Sequence, residues 1–382
     1  MAYTHPAARF LMLRRLAPPV VAAPQPSSPD SILSPRPVLH KLHFVERGDI
    51  EPILPRNLPL ATKEEEKDNH DNNGDCLQPY VLFLGLDERV TGANSISYKQ
   101  AHGQPYFAVE YTTLASTVAA SPSSGTNNNN KPNNETPMPP CFAKARFDVP
   151  PMTLRLSAAE SAVYAQARMY TDWVSRNRHC AACGARTSAL AGGTKLCCTR
   201  PSCPTHGTLT NLAFPRTDVS IIAAVLNPAG DQVLLGRGRN WPHMFYSCLA
   251  GFLEPGESIE DCVRREVWEE AGVDLGHAGG GRIIVHSTQP WPYPANIMVG
   301  CIAQLPSSVD GEQQAIHLGN DAELADAKWF SFTEVRAALA AAAAGGRRRA
   351  SPEATLLLPP PEAIAHTLLD AIVNGPVLKA KL

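Results

Sequence analysis

The chain has 382 residues, a hydrophobic share of 44% and a formal charge of −2. That length is enough for two domains with linkers. So small a net charge argues against a dominant electrostatic nucleic-acid surface, though not against RNA as a substrate. No apolar run approaches the roughly 20 residues of a membrane-spanning helix, so no membrane partner is expected.

Residues 1–40 are rich in Pro, Ala and Ser and read as a flexible arm. Arg9, Arg14 and Arg15, with no acid before Asp30, give it a weak transit-peptide character, and no secretory signal is evident. Residues 41–153 read as a small α/β or mixed domain, with strands at Tyr80–Leu86 and Tyr106–Val109. Two polar inserts, residues 63–75 and 121–140, interrupt it as solvated loops. Residues 154–178 have the pattern of a connecting helix. Ser157 caps it with Glu160 three positions on, and Ala162, Ala165, Met169 and Trp173 lie along one face.

Residues 179–212 contain Cys180-Ala-Ala-Cys183 and Cys197-Cys198-Thr-Arg-Pro-Ser-Cys203. Two close thiol pairs around a Gly-containing turn predict a zinc ribbon with Cys180, Cys183, Cys198 and Cys203 as ligands. Adjacent thiols can hardly both bind one ion, so the choice between Cys197 and Cys198 stays open. A closed four-thiolate site leaves no position for water and predicts a structural ion. Cys76, Cys141, Cys248, Cys262 and Cys301 are scattered and read as ordinary residues.

From residue 213 strands alternate with one or two helices. Val219–Leu226, a turn, and Gln232–Gly236 read as a hairpin, Phe245–Phe252 as a strand delivering Gly251, and Arg282–Val285 and Ile297–Ala303 as further strands. Between them lies a capped helix, with Ser258 ahead of Asp261 and Gly272 behind. Ile259, Val263, Val267 and Ala271 recur every four residues on it. Glu266, Glu269 and Glu270 crowd the margin of that apolar stripe, where carboxylates need a compensating cation. A hard, oxygen-loving ion such as Mg²⁺ or Mn²⁺ meets that need.

These residues resemble the Nudix box, G-x5-E-x7-R-E-U-x-E-E-x-G-U with U apolar. Gly251, Glu257, Arg265, Glu266, Val267, Glu269, Glu270, Gly272 and Val273 fill every specified position. The resemblance implies a Nudix mixed-sheet α/β/α sandwich over residues 213–375, hydrolysing a nucleoside diphosphate linked to another group. Thr288-Gln289-Pro290-Trp291-Pro292-Tyr293-Pro294-Ala295-Asn296 is similar to the S-Q-P-W-P-F-P-x-S signature of the NADH pyrophosphatase branch. Thr288, Tyr293 and Asn296 depart from it, and Asn296 keeps only the polarity of the family serine. Asp172-Trp173, Arg176-Asn177-Arg178 and Phe214-Pro215-Arg216-Thr217-Asp218 resemble the same branch.

The resemblance implies Glu266, Glu269, Glu270 and Glu323 as ligands of catalytic Mg²⁺ or Mn²⁺, with Asp326 the alternative to Glu323. It casts Arg265 as their organiser and Glu257 as an outer partner. Gln289, Pro290, Trp291, Pro292, Tyr293, Pro294 and Asn296 would bind substrate. Phe214 and Tyr246 would sandwich a base, with Phe245 the alternative because one residue is inserted near Met244. The implied reaction takes NADH or NAD⁺ to AMP and nicotinamide mononucleotide. Alternatives are NAD-capped RNA, and diadenosine polyphosphates or ADP-ribose. A zinc-ribbon binding protein with an inert catalytic domain is disfavoured by the intact glutamates. A homodimer is implied as well. In the tail, residues 376–382, Ala380-Lys381-Leu382 resembles a peroxisomal address, which implies an import receptor as partner.

Overall fold

The structure, a computed structural model, describes residues 4–23, 40–51, 81–98, 100–110, 139–147, 155–276, 280–306, 314–321, 323–343 and 356–375. They fall into two compact units, one ending at Arg216 and one beginning at Thr217. Both polar inserts, apart from Pro139 and Pro140, and the C-terminal tripeptide lie outside the described residues. Among the described residues no helix is long and apolar enough to cross a membrane.

In the first unit the chain runs through β1 (Arg9–Leu13), β2 (Val20–Ala22), β3 (His40–Leu42), β4 (Val45–Glu46) and the single-turn α1 (Arg47–Ile50). It continues with β5 (Val81–Asp87), β6 (Ile96–Tyr98), β7 (Ala101–Glu110) and α2 (Ala158–Arg176). The ribbon comes next as β8 (Thr187–Leu190), β9 (Lys195–Cys198) and β10 (Leu212–Ala213). The main sheet has the order β4-β1-β7-β5, with β6 also on β7.

The flexible-arm reading of residues 1–40 fails at β1. Phe10, Leu11, Met12 and Leu13 are fully buried, and β1 pairs in parallel with β7 and antiparallel with β4. A four-residue apolar run outweighs the Pro- and Ala-rich composition around it, because each buried side chain of this size is worth roughly 1.5–3 kcal/mol. The helix α2 is capped as expected, with Ser157 Oγ accepting the Glu160 amide at 3.3 Å. It does not stand apart as a connector. Tyr164, Ala167, Trp173 and Val174 pack in one cluster with Leu11 of β1 and with Ala189 and Leu196 of the ribbon. Its buried face is therefore offset from the predicted one, with Ala162 exposed. A cavity of about 850 Å³ also lies in this unit, lined by Lys41, Phe44, Arg89, Tyr106 and Ser157 among others.

The second unit carries β11 (Asp218–Leu226), β12 (Gln232–Gly238), β13 (Leu249–Phe252), α3 (Ile259–Ala271), β14 (Arg282–Trp291) and β15 (Asn296–Gln304). It closes with β16 (Leu324–Ser331), α4 (Phe332–Ala343) and α5 (Ile364–Asn374). Its sheet is mixed, in the order β14-β15-β11-β12-β16 with β13 on β11. Among its named strands in the described residues, β11 and β15 run parallel and the other pairs are antiparallel. Along β11 the side chains alternate between two cores. Ile221, Ala223 and Val225 meet α3, while Ile222, Ala224 and Leu226 meet α4 and α5. This is the expected α/β/α sandwich.

Candidate active site

The helix α3 forms in spite of the crowding of Glu266, Glu269 and Glu270 because its other side is buried. Cys262, Val263, Val267 and Ala271 are 0% exposed. Burying one valine contributes roughly 1.5–3 kcal/mol, against about 0.2–0.5 kcal/mol for each like-charge pair. Ser258 Oγ accepts the Asp261 amide at 3.2 Å, and Gly272 closes the helix with a left-handed φ of 69°.

Strand β13 lies against the glutamates. A Cβ on Gly251 would fall on the Glu266 carboxylate, so glycine there leaves a cradle for that group. Glu270 is buried, and its Oε2 has no hydrogen-bond partner. Burial first, and the Glu266 charge second, push its carboxyl up to about 8, while the Ala250 amide pulls the other way. Burial also raises Glu266, outweighing its bond to Arg265, and Glu269 and Glu323 add to the rise.

Arg265 ties the surrounding groups together. It donates to Glu257 Oε1 at 2.6 Å and Oε2 at 2.9 Å, to Glu266 Oε1 at 2.8 Å and to Glu269 Oε2 at 2.9 Å. A fifth bond, 2.7 Å long, goes to the Phe252 carbonyl and fixes the guanidinium to β13. The paired guanidinium holds Glu257 down to about 2. Arg265 is in turn raised, chiefly by Glu257.

Glu323 is exposed, yet its charge raises both Glu266 and Glu270, which places it with the cluster. Asp321 acts on Glu270 in the same way and was missed from the sequence, although it stands two residues before Glu323. Asp326 belongs elsewhere. It accepts from the Tyr246 hydroxyl at 2.6 Å and pairs with Lys328 at 2.8 Å. Burial raises its carboxyl, and those two partners outweigh burial to leave it low.

The donor chemistry suits a hard divalent ion. It offers only carboxylate oxygens, one of them buried and unpaired, with Arg265 the only cation bonded to them among the described residues, although within those residues these oxygens do not converge within 4.8 Å as the four thiols do. Glu266, Glu269, Glu270 and Glu323 are the residues that would hold it.

The Gln289 amide is engaged by backbone. Its Nε2 donates to the Glu362 carbonyl at 2.8 Å, and its Oε1 accepts the Ile364 amide at 2.9 Å, which caps α5. Thr288 to Trp291 continue β14, Pro292 is buried, and Pro290 and Pro294 are exposed. Trp291 and Tyr293 meet edge to face at 5.5 Å. Asn296 opens β15 and is buried, with Oδ1 unpartnered. Tyr246 is 3% exposed and packs on Phe330, so its ring has no free face for a base. Phe245 is only partly buried and meets the exposed Trp241 edge to face at 5.3 Å. Phe214, in the first unit, is 55% exposed with Lys195 over its ring.

In the first unit the ligand atoms of Cys180, Cys183, Cys198 and Cys203 lie within 4.8 Å of one another. Cys180 and Cys203 are 3.8 Å apart and Cys183 and Cys198 3.5 Å. Sulfurs bound tetrahedrally to zinc at about 2.3 Å stand about 3.8 Å apart, so the set fits that ion. The Thr205 hydroxyl and amide bring Cys203 down to about 6, which favours thiolate. Cys197 is not in the set. Cys248, Cys262 and Cys301 are buried and pushed up to about 12, as inert thiols are.

Sandwich, glycine cradle and glutamate helix together are the features of a Nudix domain, and residues 216–353 match the NUDIX domain family. That stretch of the chain is a Nudix domain. The chain is 41% identical over 185 residues to the NAD-capped RNA hydrolase NUDT12 of Macaca fascicularis, covering 48% of this chain and 37% of that protein. Over 279 residues it is 31% identical to the NAD-capped RNA hydrolase NPY1 of Saccharomyces cerevisiae, covering 68% and 64%. Over 130 residues it is 42% identical to the NAD-capped RNA hydrolase NudC of Mycobacterium bovis, covering 33% and 37%. The chain thus spans between about a third and two thirds of the length of the curated relatives it matches.

Proposed function

We propose that this protein hydrolyses the pyrophosphate bond of NAD-linked substrates, taking free NADH or NAD⁺ to AMP and nicotinamide mononucleotide. The observation that carries the reading is the buried, unpartnered Oε2 of Glu270 beside Glu266, whose own carboxylate lies under Gly251. Such a group is costly unless the site's function uses it. The names of the relatives support the NAD moiety. They equally favour a second reading, in which the same bond is cut in an NAD-capped RNA.

Divalent Mg²⁺ or Mn²⁺ bound to these carboxylates supplies neutralisation of the phosphoryl oxygens and acidification of a water. Glu266, Glu269, Glu270 and Glu323 provide the anionic oxygens, and Arg265 holds Glu266 and Glu269 in place through its fork. A water oxygen bonds to phosphorus, the bridging P–O bond breaks, and the water's protons leave to base or solvent. The Phe245–Trp241 pair offers exposed aromatic surface for a base. Zinc on Cys180, Cys183, Cys198 and Cys203 is a structural part of the proposal. Homodimerisation and peroxisomal import through Ala380-Lys381-Leu382 belong to it on sequence alone.

The test is to incubate purified protein and Mn²⁺ or Mg²⁺ with NADH, NAD⁺, NAD-capped RNA, ADP-ribose and diadenosine polyphosphates. Metal-dependent AMP from NADH is expected. Its absence, with RNA decapped instead, selects the second reading, and turnover of neither overturns both. Activity that survives Glu269→Gln with Glu270→Gln overturns the assigned carboxylates.

A further inference from the structure

Residues 314–320 run as an extended strap past the C-terminal end of α3. Gln314 clamps Asp274 at both backbone groups: its Oε1 accepts the Asp274 amide and its Nε2 donates to the Asp274 carbonyl, each at 2.8 Å. Ile316 and Leu318, two positions apart as on a strand, pack on the cluster that buries Val263 and Val267. Between them the His317 amide donates to the Ala271 carbonyl at 2.8 Å. Asn320 Nδ2 then donates to the Trp268 carbonyl at 3.0 Å. At Ala271 the strap occupies a carbonyl that the last turn of a helix leaves without an intrahelical partner, whereas the Trp268 carbonyl accepts the Gly272 amide as well as the Asn320 side chain.

Beyond the strap the chain turns acidic. Asp321 and Glu323 come next, and their charges bear on Glu270, with Glu323 also bearing on Glu266. Leu324 is already in the sheet, opposite Gly238. The Glu323 segment is therefore held at two points. One is the β16 pairing, and the other is the Asn320 side chain, bonded to the residue immediately before Glu269. Backbone pairing secures the first, while a single side-chain bond secures the second.

We propose that Asn320 is a positioning residue that latches Glu323 against the glutamate face of α3. It touches neither substrate nor ion and acts through the carboxylate three residues on. The inference rests on the assignment of Glu323 to the catalytic cluster.

The test is a double-mutant cycle on the full chain, using Asn320→Ala, Asn320→Asp, Glu323→Gln and Asn320→Ala with Glu323→Gln. Asn320→Asp keeps the shape and removes the donor. Mn²⁺ affinity is read by electron paramagnetic resonance of the free ion, and kcat and KM with NADH. An ordinary neutral hydrogen bond corresponds to a change of about twofold to tenfold. Both Asn320 variants are expected to weaken Mn²⁺ and lower kcat by that factor, with KM and Tm little changed. In the Glu323→Gln background, Asn320→Ala should add nothing. Fully multiplicative effects, or a lowered Tm with unaltered Mn²⁺ affinity, overturn the latch. Lack of any metal-dependent hydrolysis by the unsubstituted chain would instead overturn the proposed function, and the Mn²⁺ cycle would still report on Asn320.

Discussion

Gly251→Ala isolates the cradle from the fold. The added Cβ lands on the Glu266 carboxylate, the far end of a flexible side chain, rather than on backbone. Carbon and oxygen need about 3.5 Å between them, so the carboxylate must move by more than ~1 Å. A misplacement of that size costs on the order of 100-fold in rate. Stability should barely respond. Gly251 has an ordinary strand partner in Ile221, and Gly→Ala at a compatible site is worth about 0.4–1 kcal/mol in favour of the folded state. For a domain of this size that is a Tm change within about 4 °C. The assay is kcat/KM for NADH at saturating Mn²⁺ beside a thermal melt. A kcat/KM within about threefold of the unsubstituted protein refutes the reasoning, and so does a melt lowered by 10 °C or more.

Glu270 makes the ion-free protein sensitive to pH. Its folded carboxyl is raised from 4.5 to about 8, so the folded state binds more protons than the unfolded across that window. Stability must fall as pH rises from about 4.5 to about 8, by up to about 1.4 kcal/mol per unit, and level off above. Melts in EDTA should show this decline, Glu270→Gln should flatten it, and a decline that persists in the variant refutes the assignment. Arg265→Lys keeps the charge and loses the fork that reaches Glu257, Glu266 and Glu269. The expected result is kcat lower by about 10- to 100-fold with KM unchanged. A raised KM at unchanged kcat would place Arg265 on the substrate. Cys198→Ser should release the zinc measured by elemental analysis and Cys197→Ser should retain it; the opposite pattern refutes the ligand set.

The glutamate-bearing helix α3 was legible because its signals are local. A cap, a four-residue apolar repeat and a terminal glycine fix its ends and its buried side, and they thereby place Glu266 and Glu270 at the core margin. The strap was not legible, since His317 and Asn320 hold α3, and Gln314 the Asp274 backbone beyond it, through bonds that no spacing reveals. Gln289 shows the same limit from the other side. The sequence supplies an amide in a recognisable motif, and only the fold shows both its ends engaged at the start of α5. The arm failed for a different reason, because composition averaged over forty residues hides a buried run of four.

The aromatic pair turns on parity. Neighbouring residues of an extended segment point to opposite sides, so one inserted residue exchanges every side chain between core and solvent. Tyr246 amide donates to the Leu357 carbonyl and Ser247 pairs with Gly236, which sets the alternation there. Tyr246 therefore faces Phe330 in the core, and its hydroxyl reaches Asp326. Phe245 takes the other side, beside Trp241. The backbone pairing thus leaves the Phe245 ring, and not that of Tyr246, with the open surface that the proposed function needs. Motif alignment alone could not choose between them, because both positions are aromatic and only the backbone pairing distinguishes them.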